Sequence, residues 1–166
     1  YSAIGQVGYV LLALGAGGPA GYAAAVLYSV VNSLNKGVVF LATGLRGPLV
    51  GGAFAVGAFS IAGVPPAAGF VGKIAVFKAA IAENSLPASL ALVAVIFLGG
   101  ALSFLYSFQV YQRRFVKPGS EGKPSPRAVR FPVVALAALV VLLGLWPEPL
   151  IYLSEAAATV LIGGSG

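Results

Sequence analysis

The chain has 166 residues, of which 59% are hydrophobic and 8% charged, with a net charge of +6. An ordinary soluble domain carries about 25% charged residues, so this one has too few charges to cover its surface in water, and lipid must cover it instead. Cysteine and histidine are both absent. That excludes disulfides and thiolate sites and removes the usual neutral-pH acid–base group, so no catalytic residue, metal or cofactor is expected.

In chain order, Ile4 to Ala16 is a first apolar stretch, short for a crossing of about 20 residues. Gly15 to Gly21 reads as a Gly/Pro turn, and Tyr22 to Thr43 as a full-length second span. Gly44 and Arg46-Gly47-Pro48 punctuate the chain. Leu49 to Val64 is a third span, rich in the small residues that let membrane helices approach closely. Pro65-Pro66 forbids a continuous helix, and Ala67 to Glu83 forms a fourth segment. A polar loop at Glu83 to Pro87 leads into a long fifth span, Ala88 to Phe115, which ends on aromatic and basic residues. Phe131 to Leu145 begins a sixth span. Trp146-Pro147-Glu148-Pro149 interrupts it, and Leu150 to Ile162 continues it or lies along the interface.

The fold expected is therefore all-α: one polytopic transmembrane bundle over 1–166, about six spans, with one broken helix after Pro65-Pro66. Arg113, Arg114, Lys117, Lys123, Arg127 and Arg130 crowd one stretch. This predicts a cytoplasmic loop over 116–130 by the positive-inside rule, not a nucleic-acid surface. Alternating sides from that loop places Ala16 to Ala20 and Pro66 inside, and Arg46 and Glu83 outside, with Arg46 on the wrong side for its charge. No basic leader precedes the first apolar stretch and there is no methionine, so an internal piece of a longer membrane protein is expected.

Polar residues inside apolar spans are the candidate functional ones. A lysine near the centre of a membrane helix costs about 2.5–3.5 kcal/mol and by default faces a bundle interior or a hydrated cavity. Lys36 lies well inside the second span, and Ser29, Asn32, Ser33 and Lys36 recur at helical spacing, with Tyr28 one turn before Asn32. Such a stripe lines a water-filled path or binds a partner helix. Lys73 stands just past the double proline, and broken membrane helices are where transport proteins place ion sites. Lys78 is a further relay candidate. The competing readings are lysines that snorkel to an interface, or that pair with a buried carboxylate only to hold helices together.

Four runs carry a resemblance. Tyr1-Ser2-Ala3-Ile4-Gly5-Gln6-Val7-Gly8-Tyr9, Asn35-Lys36-Gly37-Val38-Val39-Phe40-Leu41-Ala42-Thr43-Gly44 and Ile61-Ala62-Gly63-Val64-Pro65-Pro66-Ala67-Ala68-Gly69-Phe70-Val71-Gly72-Lys73 are similar to segments of antiporter-like membrane subunits. Leu145-Trp146-Pro147-Glu148-Pro149-Leu150 is similar to their C-terminal end. That family joins the D-type subunit of multisubunit Mrp sodium/proton antiporters to the proton-pumping chains of respiratory complex I. The resemblance implies the C-terminal half of a longer subunit, helices nine to fourteen of fourteen. It further implies a multi-pass location in the inner (plasma) membrane, other membrane subunits as partners, and protons, or sodium with protons, as cargo. It makes Lys36 and Lys73 the lysines of a second proton half-channel, with Asn32 and Tyr28 where relatives often carry histidine. Lys73 (not glutamate), Lys36 and the short end after Trp146 point, by the same resemblance, to the D type over the M, N and L types of complex I. A structural subunit with a degenerate channel is the other reading.

Overall fold

The computed structural model describes residues 2–82, 85–116 and 125–163. Among them are seven helices: α1 (Ser2–Ala16), α2 (Gly18–Thr43), α3 (Pro48–Ala62), α4 (Ala68–Ala82), α5 (Leu86–Tyr111), α6 (Arg127–Leu145) and α7 (Glu148–Gly163). One π-helical turn, Gln112–Val116, extends α5. Three helical segments, Gly18–Thr43, Pro87–Val116 and Arg127–Leu145, are long and apolar enough to cross a membrane. The all-helical membrane bundle expected from composition is what forms.

Several boundaries differ from the sequence reading. The turn expected over Gly15 to Gly21 shrinks to Gly17, with φ of 77°, because Pro19 is tolerated in the first turn of α2. Gly21 is used instead for packing, since a Cβ there would lie 2.6 Å from the Ala13 carbonyl. The loop expected over 116–130 is shorter at its far end, because α6 begins at Arg127. Residues 117–124, with Lys117 and Lys123, and Glu83 lie outside the described residues.

The larger correction concerns α3 and α4. Each has 15 residues, about 22 Å of helix, which is short of the ~30 Å hydrocarbon core. They line up end to end along α5. Phe54 stacks on Tyr111 and Phe59 on Phe104, at 6.2 and 5.9 Å between ring centroids. Ala62 and Lys73 both face Gly100, and the Ser89 hydroxyl donates to the Ala80 carbonyl at 3.1 Å. As α5 descends from 111 to 89, its neighbour ascends from 54 to 80. The third and fourth segments are thus two halves of one interrupted crossing, not two crossings.

This resets the sides. The Arg46 amide donates to Ser125 Oγ at 3.0 Å, the Ser125 amide donates to the Arg46 carbonyl at 3.1 Å, and Arg114 Nε donates to the Thr43 carbonyl at 3.1 Å. Arg46 therefore sits at the same end as the basic stretch, and the α1–α2 corner sits at the opposite end. The misplaced charge of the alternation count disappears once the broken helix is counted once.

The core divides in two. One cluster gathers Leu27, Val31, Val38, Phe54, Val133 and Val140 between α2, α3 and α6. The other gathers Tyr9, Ala13, Ala24, Tyr28, Val76 and Ile96 between α1, α2, α4 and α5. The break lies between them: Ala67 and Ala68 belong to the first cluster, and Lys73 meets Tyr9 of the second.

A buried lysine at a broken helix

The break is built by local sequence. Gly63, at φ of 87°, adopts the left-handed conformation that ends helices and that side chains disfavour. Its amide turns back to the Phe59 and Ser60 carbonyls, each at 3.0 Å. The Pro65-Pro66 peptide is cis, and neither proline has an amide to continue a helix. The chain then doubles back so that the first turn of α4 overlaps the last turn of α3. The Gly69 amide donates to Ser60 Oγ at 2.9 Å. A Cβ on Gly69 would run into the Ser60 carbonyl, so only glycine permits this overlap.

Lys73 lies one turn after Gly69 and points into the gap. It is 9% exposed. Its Nζ donates to the Ala62 carbonyl, at the end of α3, at 2.6 Å, and lies 5.3 Å from the centroid of the Tyr9 ring. Gly100 on α5 makes the space, because a Cβ there would lie 2.9 Å from Nζ. The described carboxylates, Glu148 and Glu155, both belong to α7, so among the described residues no carboxylate pairs with Lys73. A charge-assisted hydrogen bond contributes about 1.5–3 kcal/mol and a cation–π contact about 0.5–2. Together they match the ~2.5–3.5 kcal/mol insertion cost of a membrane lysine. The amine is held without the strong ion pair that would fix its proton.

Tyr9 links it to two further polar side chains, Tyr28 and Gln6. Tyr9 donates to the Ile96 carbonyl at 2.9 Å. Its ring meets that of Tyr28 at 5.1 Å between centroids, and Tyr28 donates to Gln6 Oε1. A cavity of about 490 Å³ adjoins Lys73, between the end of α3, α4 and α5, with Ala62, Gly63, Phe77, Ile96 and Gly100 in its wall. Among the described residues, Lys73 is the one charged residue of the cavity's otherwise apolar wall, which opens at the bundle surface beside Phe97.

The other expected residues are placed differently. Ser29 and Ser33 turn onto their own helix, donating to the Ala25 and Ser29 carbonyls at 2.7 and 2.9 Å. Asn32 is half-buried, with Oδ1 enclosed and without a partner. Lys36 is half-buried and lies eight residues beyond Tyr28 on α2, about 12 Å along the axis. Lys78 is exposed. Tyr28 therefore joins the Lys73 cluster through Tyr9, while Lys36 stands apart from it. Gln6, Tyr9 and Asn35, whose Oδ1 is also enclosed and unpartnered, were missed by sequence reasoning. The available signal was their polarity inside apolar helices, with Gln6 and Tyr9 three residues apart.

Comparison with known proteins gives this arrangement relatives. Residues 45–99 match the family described as NADH:quinone oxidoreductase/Mrp antiporter, transmembrane. The chain is 33% identical to the NADH-quinone oxidoreductase subunit N of Geotalea uraniireducens, with 94% of this chain and 37% of that one covered. Among solved structures it is similar to a chain of the Mrp complex from Dietzia sp. DQ12-45-1b, with a TM-score of 0.77 at 25% identity and 94% and 40% coverage. It is also similar to a chain of respiratory complex I from Thermus thermophilus, with a TM-score of 0.65 at 30% identity and 91% and 38% coverage. The chain spans less than half the length of each.

Proposed function

We infer, from the premise that the chain belongs to the antiporter-like membrane subunit family, that it carries part of a proton path across a membrane within a multisubunit complex. The observation that supports this most is the Lys73 amine, buried where α3 is interrupted, bonded among the described residues to the backbone carbonyl it caps, and adjoining a cavity. Protons are taken up and released by Lys73 and exchanged with Lys36 through water, with Tyr28 and Asn32 beside the route, while Tyr9 and Gln6 hold Tyr28 and the lysine in place. Ser29 and Lys78 lie at the edges of the route. The partners are other membrane subunits and the bilayer, the membrane is the cell's inner (plasma) membrane, and the end bearing Arg46 and the basic stretch faces the cytoplasm. The subunit N of Geotalea uraniireducens is an N-type chain of which this one is a 33% identical relative, and this favours the N type over the D type that the motifs suggest. The cargo is the proton, with sodium coupling left to the complex.

The test is Lys73→Ala, and separately Lys36→Ala, in the full-length subunit within its assembled complex, reconstituted into vesicles with an internal pH dye. Loss of proton transport at normal assembly is the expected result. Unchanged transport in both variants would leave a subunit that only holds neighbours together.

A further inference from the structure

We propose that the arginine-rich end of the bundle, where the α2–α3 corner, the π-helical turn and the start of α6 converge, binds the headgroup of an anionic phospholipid. Three elements are drawn together there. The Arg46 and Ser125 backbones are joined through the 3.0 and 3.1 Å bonds, and Arg114 Nε reaches the Thr43 carbonyl at 3.1 Å. Arg46, Arg113, Arg114, Arg127 and Arg130 consequently share one end. The described carboxylates lie on α7, beyond the far end of α6.

Among the described residues this charge is left uncompensated. Arg130 Nε is enclosed and has no acceptor. Arg127 and Arg130 occupy the first turn of α6, which has no acidic residue and no side-chain cap. A helix N-terminus is already positive and repels cations, so an anion there relieves two repulsions at once. Apolar side chains flank the arginines: Phe131, Val116 and Leu49 are 74%, 62% and 61% exposed. A free inorganic anion would answer the charge and leave those side chains bare. A phospholipid answers both, with its phosphate on the guanidinium groups and its chains along the helices, at the depth where membrane-crossing helices meet headgroups.

The test uses the full-length subunit in its purified, delipidated complex, incubated with equal amounts of phosphatidylglycerol and phosphatidylcholine of identical chains, with retained lipid counted by native mass spectrometry. Each arginine near the headgroups is expected to contribute about fivefold to retention of the anionic lipid. Arg113→Gln, an exposed side chain, then lowers it about fivefold, and Arg114→Gln with Arg130→Gln about 25-fold. Should the double variant not assemble, Arg113→Gln alone decides. Equal retention of the two lipids, or unchanged phosphatidylglycerol in the variants, overturns the proposal. Release of a neighbouring subunit with lipid unchanged also overturns it, and assigns the patch to an acidic protein surface.

Discussion

Replacing Gly69 by alanine tests whether the overlap of the two half-helices sets the position of Lys73. The added Cβ would meet the Ser60 carbonyl and lie 2.9 Å from Ser60 Oγ, so α3 and α4 must separate. Overpacking of this kind costs about 1–3 kcal/mol. The Gly69–Ser60 hydrogen bond of 2.9 Å is lost with it, at about 1 kcal/mol. The sum, ~2–4 kcal/mol, is a large part of a typical folding stability of ~5–15. Because Lys73 follows one turn later, the separation also draws Nζ from the Ala62 carbonyl. The expected outcome is a lower thermal midpoint for the full-length subunit in its complex and a proportionally greater loss of proton transport. Ser60→Ala added to the variant should not rescue it, since the backbone carbonyl is the main obstacle. A Gly69→Ala protein with wild-type melting and transport would refute the overlap as the element that positions the lysine.

Three further outcomes are expected. Gly100→Ala places a Cβ 2.9 Å from Lys73 Nζ and should reduce proton flux in vesicles several-fold while assembly persists; full flux would mean that the lysine does not work from this position. Tyr28→Phe leaves Gln6 Oε1 in the core without its donor and should cost about 1–3 kcal/mol, read as a lowered midpoint in denaturant titration. Lys73→Arg keeps the charge, yet a guanidinium does not give up its proton and is larger than the gap beside Gly100. Dye-monitored transport as low as in the alanine variant is expected, and wild-type transport would show that charge alone suffices.

Much of this was legible in the sequence because membrane insertion leaves so few ways to hide polar groups. Pro65-Pro66 announced the break, and Lys73 announced that something polar lay beside it. Three features were not legible. The number of crossings depended on α3 and α4 lying end to end along α5, a tertiary fact that two 15-residue apolar segments do not reveal separately. The side of Arg46 depended on the same fact. The partners of Lys73 were hidden for a different reason: a backbone carbonyl leaves no mark in sequence, and Tyr9 and Tyr28 meet only because α1 and α2 pack around small residues such as Gly21 and Ala13. Helical periodicity grouped Ser29, Asn32, Ser33 and Lys36, but it does not report that the serine hydroxyls turn back onto their own helix.

The most direct measurement replaces the amine chemically. The chain contains no cysteine, so Lys73→Cys in the assembled complex introduces a thiol unique within these 166 residues, which bromoethylamine converts into a side chain ending in an amine like that of lysine. Proton transport should fall in the cysteine variant and return after aminoethylation confirmed by mass, with treated wild-type complex as reference. A fully aminoethylated Lys73→Cys variant that stays inactive, or an untreated one that pumps at the wild-type rate, would contradict the claim that protons pass by way of this amine.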